Sequence, residues 1–297
     1  MEFKKSFIEK YEKLTDIELF KEYSLKPLRK SFRVNTLKTN VADVEKRFSG
    51  LMQIPWCKEG FWIKYAYALG NTLEHFLGYI YIQEAASMIP PIILDPRKGE
   101  FVLDMCGCPG SKTTQIAAMM ENKGAIISND VKIEKLKILK YNIERCGLIN
   151  TGTTIGSGWK FDKSLFDKVL VDAPCSGIGT IRKSFKTLEI YNPNISVKFS
   201  NVQKRLIISG FNSLKENGTL VYSTCTLEPE ENEEVVDFLL KKFNNAKIEK
   251  IDIDIKKSDA IMEYGKHEFN PEIKKCLRIW PQDNDTEGFF VAKIRKI

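Results

Sequence analysis

The sequence lacks the features that would place it in a membrane or outside the cell. None of its apolar runs approaches the ~18–20 residues that a membrane-spanning helix needs. Its first residues are charged and amphipathic and do not form an apolar signal segment. Cysteine occurs seven times, an odd number, so reduced thiols are expected and a disulfide framework is not. We therefore expect a cytoplasmic, monomeric protein with no membrane partner.

Metal-ligand spacing is also missing. Cys106 and Cys108 flank Gly107, but no further cysteine or histidine follows at the spacing of a zinc site. The chain has only two histidines, so other ligands of this kind are scarce. The sequence thus predicts a protein without a metal centre.

Acidic residues are absent from the segment 23–42, although the chain carries a formal net charge of only +7. Basic residues in this segment are Lys26, Arg29, Lys30, Arg33 and Lys38. A second basic cluster, with aromatic residues interleaved, contains Arg182, Lys183 and Lys186. Basic side chains neutralise phosphates and aromatic rings stack on unpaired bases, so these clusters predict contacts with RNA or DNA. The alternative is an ordinary solvated surface.

Apolar runs alternate with helical patterns after the turn-rich segment 94–99. Continuous apolar runs of about four to eight residues are typical of parallel strands that are covered on both faces. The pattern predicts an α/β fold with an open Rossmann-like sheet at 96–297, preceded by a small α+β domain at 1–95. Predicted strands are 100–105, 125–129, 151–155, 168–171, 218–222, 246–253 and 288–294, and predicted helices are 112–122, 131–146, 201–215 and 229–243. In the first domain, a helix over 84–89 is expected to stop at Pro90.

A glycine-rich turn at 104–114 joins the first strand to its helix, where backbone N–H groups hold nucleotide-like ligands. The turn does not fit a P-loop, because Ser111 precedes Lys112 and Gly110 falls one place early. It does not fit a dinucleotide fingerprint either, because Cys108 and Pro109 interrupt the glycine spacing. The remaining candidate ligand is S-adenosylmethionine, which has no phosphate.

Asp130 supports this reading, because it ends the second strand about 20 residues after Gly110. In this architecture a carboxylate at that position meets ribose hydroxyls. The alternative role for Asp130 is that of a helix N-cap, and the two roles can coexist.

Two cysteines follow the predicted strands 168–171 and 218–222. Cys175 lies in the segment 168–177 and Cys225 in the segment 219–228. Ligands bind at the carboxyl ends of such strands, so both thiols are expected at the working edge of the sheet. Two thiols at one edge indicate a covalent adduct that one thiol makes and the other helps to release. The residues alone leave open which thiol does which.

Several motifs together resemble the Sun (Fmu, Nop-type) family of RNA cytosine-C5 methyltransferases. Segment 104–113 fits D-x-C-x-x-P-G-x-K-T, segment 172–177 fits D-x-P-C-S-G, and segment 223–232 fits S-T-C-x-x-x-x-E-E-N. Shorter matches lie at 33–38, 81–88, 278–281 and 288–292. The resemblance covers about residues 30–297 and implies an S-adenosylmethionine-dependent enzyme that methylates RNA, with tRNA as the expected substrate and rRNA second.

The resemblance also implies roles for individual residues. It assigns Cys225 as the nucleophile that adds to C6 of cytosine, Cys175 as the thiol that assists release, Asp172 as the group that contacts N3, and Lys112 as a further catalytic residue. The implied cofactor residues are Cys106, Gly107, Cys108, Pro109, Gly110, Ser111, Lys112, Asp130, Ser157 and Asp172. Asn35, in the motif at 33–38, joins the predicted RNA contacts.

This chain departs from the family pattern at two cofactor positions. Ser111 and Cys108 stand where the family has smaller residues, and Ser157 stands where the family has an aspartate near the adenine. A weaker cofactor site is the expected result. Two other functions are therefore retained for comparison: a weakly active RNA-binding or assembly factor, and a DNA cytosine methyltransferase. The second thiol motif favours RNA over DNA.

Overall fold

The computed structural model describes residues 3–64 and 68–297, beginning with a small antiparallel sheet and its helices. The elements up to residue 94 are α1 (Lys5–Tyr11), α2 (Ile17–Leu25), β1 (Ser31–Val34), α3 (Val41–Glu45), β2 (Leu51–Ile54), β3 (Cys57–Ile63), α4 (Leu73–Phe76), β4 (Ile80–Ile82) and α5 (Ile89–Leu94). The four strands pair in the order β2-β3-β1-β4. Apolar side chains from this sheet and from α3 form a separate small core.

The second part of the chain alternates strands and helices. Its elements are β5 (Phe101–Asp104), α6 (Ser111–Met119), β6 (Ala125–Asp130), α7 (Ile133–Cys146), β7 (Thr151–Ile155), β8 (Phe166–Asp172), α8 (Lys186–Glu189), α9 (Pro193–Ser213), β9 (Leu214–Thr224), α10 (Glu233–Lys242), β10 (Ala246–Glu249), β11 (Glu263–Tyr264), β12 (His267–Glu268), β13 (Leu277–Ile279), α11 (Pro281–Asn284) and β14 (Phe289–Lys296). The main sheet has the order β10-β14-β9-β8-β5-β6-β7, and β13 pairs with β14.

Strands β5 to β9 are parallel, whereas β14 pairs antiparallel with β9. Fully buried aliphatic residues fill the centres of β8 and β9, because helices cover both faces of the sheet. In the register of these two strands, Asp172 lies opposite Ser223. The predicted α/β class and Rossmann-like sheet are confirmed, and the carboxyl ends of β8 and β9 meet at one edge.

Three predicted helices differ from the observed ones. The helix expected over 84–89 does not stop at Pro90: a 3-10 turn at Ala86–Met88 leads into α5, which begins at Ile89. Pro90 and Pro91 occupy the first turn of α5, where no intrahelical N–H bond is needed. Helix α9 starts at Pro193 and not at 201, and α10 starts at Glu233 because 229–232 form a turn. The division at residue 95 stays a prediction, and α5, which precedes it, packs against β8 and β9 of the main sheet.

In the part of the chain that the structure describes, no helix has both the length and the apolar character needed to cross a membrane. The same residues contain no group of three or more His, Cys, Asp or Glu side chains arranged around a possible metal ion.

A buried ion pair joins α10 to β13. Arg278 Nη2 donates to Glu233 Oε2 at 2.6 Å and Nε donates to Oε1 at 2.8 Å. Arg278 Nη1 also donates to the carbonyl of Leu227, shortly after Cys225. Both charged side chains are completely buried, so each depends on the other for charge compensation.

We expect Glu233→Gln to lower the free energy of unfolding by about 3–5 kcal/mol, because it leaves the Arg278 charge buried without compensation. Urea unfolding followed by circular dichroism measures the change. As a control, Glu9→Gln breaks an exposed pair with Lys5 and should cost less than about 1 kcal/mol. Equal stability of the two variants would show that the buried pair does not hold α10 in place.

Candidate active site

The two cysteines that follow β8 and β9 lie in contact. The distance between Cys175 Sγ and Cys225 Sγ is 3.3 Å, and both residues are partly buried. Parallel pairing of β8 with β9 ends both strands at the same level, so the loops that follow carry both thiols to one point. Their shared hydrogen bond and burial raise the pKa of Cys175. The arrangement allows one bound ring to meet either sulfur.

A carboxylate and an ammonium lie beside the thiols. Lys112 Nζ donates to Asp172 Oδ2 at 2.7 Å and to Ser87 Oγ at 3.0 Å. The other oxygen of Asp172, Oδ1, accepts from Ser223 Oγ at 2.8 Å. Burial acts to lower the pKa of Lys112, but the Asp172 carboxylate outweighs burial and the pKa is raised. Lys112 therefore stays a cation and Asp172 is held in one orientation.

Buried polar side chains fix the loop that carries Cys175. Glu231 Oε2 accepts from the backbone N–H of Ser176 at 3.0 Å and from Gln203 Nε2 at 2.8 Å. Gln203 Nε2 also donates to the Pro174 carbonyl at 2.9 Å. Burial raises the pKa of Glu231 to about 7. The loop is thus clamped on both sides of Cys175.

The loop that carries Cys225 is held by close backbone contacts. The N–H of Gly179 donates to the Cys225 carbonyl at 3.0 Å, and the N–H of Gly288 donates to the Gly179 carbonyl at 2.9 Å. A Cβ atom at Gly179 would lie 2.2 Å from the Gly288 carbonyl oxygen, so only glycine permits this approach. Farther along, Tyr11 of α1 donates to Glu228 at 2.7 Å, and Lys10 pairs with the same carboxylate. The amino-terminal helix thereby braces the catalytic edge.

The glycine-rich turn folds tightly between β5 and α6. Gly110 has φ of 105°, in the left-handed region, and its N–H donates to the Gly107 carbonyl at 2.6 Å. Asp104, at the end of β5, is completely buried; its Oδ2 accepts from Thr113 at 2.6 Å. Burial raises the pKa of Asp104 to about 6. Among the described residues its Oδ1 has no hydrogen-bond partner, so it is available to a cationic ligand group.

The other predicted cofactor residues lie farther along this edge. Asp130 ends β6; its Oδ1 accepts from the Lys132 N–H at 3.2 Å, and its Oδ2 lies 3.7 Å from Lys135 Nζ. The N-cap residue of α7 is Lys132, so the alternative role of Asp130 as a helix N-cap is wrong. Ser157 is half-buried in the loop after β7. Their contacts with a cofactor stay predictions.

A cavity of about 320 Å³ extends from the glycine-rich turn to Cys225. Of the residues predicted to bind cofactor or to act in catalysis, those that line it are Cys106, Gly107, Cys108, Pro109, Ser111, Lys112, Asp172 and Cys225. Cys175 instead lines a neighbouring cavity on the other side of the sulfur pair. Cys225 is therefore the thiol that shares a chamber with the glycine-rich turn.

Three of the predicted RNA contacts are buried, which corrects the prediction for them. Arg33 donates to Gln83 and Thr114, and Asn35 donates to the carbonyls of Gly78 and Cys146. The side chain of Arg182 is completely buried and donates to three carbonyls and to Asp285. These polar groups satisfy backbone and side-chain partners inside the protein and cannot reach a phosphate.

The remaining basic residues are accessible to different degrees. The exposed ones are Lys26, Lys30, Lys38, Lys183 and Lys186. Lys26 pairs with Glu22, and Lys38 donates to the carbonyls of Leu77 and Arg145. Arg29 is half-buried over the Trp62 ring and pairs with Asp285. Contacts of this accessible set with RNA stay predictions.

Several cavity residues were not singled out from the sequence. They are Ser87, Glu84, Thr180, Glu287 and Phe289, with Lys183 predicted only as an RNA contact. Ser87 and Glu84 lie in the motif at 81–88, and Phe289 in the motif at 288–292, so the motifs themselves were the available signal.

Comparisons with known proteins agree with this geometry. Residues 91–295 match the family model described as 16S rRNA methyltransferase RsmB/F. Residues 3–85 match the model of the N-terminal domain of 16S rRNA methyltransferase RsmF. A solved methyltransferase homologue from Pyrococcus horikoshii is 39% identical, with a TM-score of 0.83 over 94% of this chain and 90% of that chain.

Two relatives differ in how much of their length is matched. The tRNA (cytosine(49)-C(5))-methyltransferase of Pyrococcus abyssi is 49% identical, over 98% of this chain and 96% of that protein. The ribosomal RNA small subunit methyltransferase F of Vibrio atlanticus is 43% identical over 95% of this chain, but this chain spans only 60% of that protein. The resemblance drawn from the motifs is thereby confirmed, and the chain belongs to the RsmB/F (Sun) family of methyltransferases.

Proposed function

We propose that this protein transfers a methyl group from S-adenosylmethionine to C5 of a cytosine in RNA, with tRNA as the substrate. The observation that carries the proposal is the 3.3 Å contact between two thiols beside the Lys112–Asp172 pair. The end-to-end match with the Pyrococcus abyssi tRNA enzyme supports tRNA over rRNA, because this chain covers a much smaller share of the rRNA enzyme.

The residues at the glycine-rich turn fit the methyl donor. Asp104 presents a buried, unpartnered carboxylate oxygen to the cavity, which suits the ammonium of a methionine moiety. The N-terminus of α6 carries no acidic residue in its first turn, and Gly107, Cys108, Pro109 and Ser111 border the same chamber. When bound, S-adenosylmethionine supplies an electrophilic methyl group that a carbon nucleophile attacks.

The protein's part in the chemistry is to make C5 of cytosine nucleophilic. Cys225, as the thiolate, forms a bond to C6, and the electrons of the C5–C6 double bond become available at C5. Lys112 and Asp172 line the same chamber, where the ammonium can donate to O2 of the ring and a proton held between the Asp172 carboxylate and N3 can neutralise the negative charge that develops there. After methylation the C5 proton leaves to a base, the bond from C6 to sulfur breaks, and the double bond returns.

Two observations support Cys225 as the nucleophile. Cys225 lines the chamber that holds Lys112, Asp172 and the glycine-rich turn, whereas Cys175 lines the cavity behind it. The pKa of Cys175 is raised by its hydrogen bond to Cys225, so its proton is retained. A protonated Cys175, 3.3 Å away, is placed to return a proton to the Cys225 sulfur as it leaves C6.

Alanine variants distinguish the roles of the two thiols. Cys225→Ala should abolish methylation and any covalent link to RNA. Cys175→Ala should still attack and methylate but stall before release, so a protein–RNA adduct accumulates. Denaturing electrophoresis with labelled tRNA and the methyl donor measures the adduct.

Cys276→Ala removes a buried cysteine outside the site and serves as the control, with wild-type turnover expected. An adduct that accumulates in Cys225→Ala and vanishes in Cys175→Ala would reverse the assignment. Wild-type activity with no adduct in either variant would contradict the covalent mechanism.

For the cofactor, calorimetry should show binding of S-adenosylmethionine and none of ATP or NAD. Asp104→Asn should weaken the binding about 10-fold, because it removes the charge that faces the donor's ammonium. Tight binding of ATP or NAD without binding of the methyl donor would overturn the cofactor assignment.

For RNA docking, the double variant Lys183→Gln/Lys186→Gln should weaken tRNA binding. The slope of log K against log salt should fall by about 0.7–0.9 for each phosphate that the protein no longer neutralises. Filter binding over a salt series measures both quantities. The matched double variant Lys137→Gln/Lys140→Gln, on exposed positions of α7, should leave affinity and slope unchanged. The same weakening in both pairs would show a general charge effect and no docking surface.

A further inference from the structure

Two carboxylates, those of Glu84 and Glu287, line the active-site cavity together with the glycine-rich turn. Glu84 precedes the first turn that leads into α5, and Glu287 precedes β14. Both also line a second cavity of about 370 Å³, which Arg29 and Lys30 of the N-terminal domain border. The two glutamates thus stand between the basic N-terminal surface and the chamber of Cys225.

Both carboxylate oxygens of Glu84 accept hydrogen bonds from backbone N–H groups. Its Oε2 accepts from the N–H groups of Ala86 at 2.7 Å and of Ser87 at 3.2 Å. Its Oε1 accepts from the N–H of Glu287 at 3.2 Å. Glu84 therefore positions the backbone of Glu287, and both of its own carboxylate oxygens already accept hydrogen bonds.

Glu287 has one carboxylate oxygen that accepts no hydrogen bond from the described residues. The residue is only 4% exposed, and its Oε1 has no hydrogen-bond partner among the described residues. A buried carboxylate oxygen without a partner costs free energy that a ligand's donor would recover. Burial raises the pKa of both carboxyls, that of Glu84 to about 8, while Lys183 and Lys112 act to lower that of Glu287. The unpartnered Oε1 therefore makes Glu287, and not Glu84, the available acceptor.

The possible partners of Glu287 Oε1 are an RNA phosphate, the ammonium of the methyl donor and the target base. RNA phosphates carry negative charge and are repelled by a carboxylate. The ammonium of the methyl donor has an acceptor of its own at Asp104, at the end of β5. Cytosine carries an exocyclic 4-amino group next to N3, and uracil carries an oxygen at the same position. An acceptor at this point of the cavity would therefore hold cytosine and repel uracil.

We propose that Glu287 Oε1 accepts a hydrogen bond from the 4-amino group of the target cytosine and so determines specificity for cytosine over uracil. The inference rests on the proposed function, because it requires that the base enter the chamber of Cys225. Glu287 would then be a specificity-determining residue, and Glu84 a positioning residue that acts through the backbone of Glu287.

The test combines a change in the protein with a change in the base. Two RNAs are compared that differ only at the target, one with cytosine and one with pyrimidin-2-one, in which hydrogen replaces the 4-amino group. Because pyrimidin-2-one has its own reactivity at C6, the quantity of interest is how the ratio of kcat/KM for the two bases differs between protein variants. Glu287→Met removes the acceptor at similar volume, and Glu263→Met, on the exposed β11, is the control.

Glu287→Met should lower kcat/KM on cytosine RNA by about 10- to 100-fold and leave the rate on pyrimidin-2-one RNA nearly unchanged. The ratio for the two bases should shift by the same factor, and the KM for the methyl donor should stay constant. Glu263→Met should keep the wild-type ratio. If Glu287→Met does not fold, Glu287→Gln supplies the readout, since its amide N–H₂ can donate to O4 and should raise adduct formation with uracil RNA.

An unchanged base ratio in a folded, active Glu287 variant would overturn the inference and leave the proposed function intact. A changed KM for the methyl donor with an unchanged base ratio would place Glu287 at the cofactor and also overturn it. A wild-type protein that binds the methyl donor but methylates no cytosine in RNA would overturn the proposed function itself.

Discussion

The Asp172 carboxylate is the constraint on which the site depends. One of its oxygens accepts from Lys112 on α6 and the other from Ser223 on β9, while Lys112 reaches back to Ser87. The bond from Ser223 follows from the parallel pairing of β8 with β9, which places Asp172 opposite Ser223. The same register ends both strands at one level and brings the two sulfurs to 3.3 Å. The pairing of β8 with β9 therefore brings Asp172 and its partner Lys112 close to both thiols.

Buried charged side chains hold the loops that carry the two cysteines. Glu231 clamps the Cys175 loop, and Arg278 with Glu233 anchors the carbonyl of Leu227 beyond Cys225. Each of these groups is desolvated, so each is stable only with its partners in place. Mobile loops would let the thiols separate, whereas a network of this kind holds them within contact distance. The amino-terminal helix α1 joins the network through its contacts with Glu228, so the first residues of the chain contribute to the geometry of the catalytic edge.

The basic residues divide into structural and accessible sets. The guanidinium groups of Arg33 and Arg182 donate to partners inside the protein. Arg33 binds Thr114, and Arg182 binds the carbonyls of Pro27 and Thr286, so each arginine joins the N-terminal segment to the methyltransferase domain. The planar guanidinium carries five donors, so a single buried arginine can satisfy several carbonyls at once. Lysines such as Lys183 and Lys186 remain at the surface, where a flexible ammonium can follow a phosphate backbone. Local charge density in the sequence does not distinguish the two sets, because burial depends on segments far away in the chain.

The sequence by itself determined the fold class, the positions of the parallel strands and the pair of cysteines. Apolar runs and turn residues are local signals, and the predicted strand over 151–155 coincides with β7. It could not determine where α5 begins, since prolines can either end a helix or open one. Only the tertiary structure decided that Cys225 faces the glycine-rich turn, that Arg33, Asn35 and Arg182 are interior, and that Glu287 presents an unpartnered oxygen to the cavity. The physical reason is that burial and hydrogen bonding arise from contacts between distant segments, which no local pattern of residues encodes.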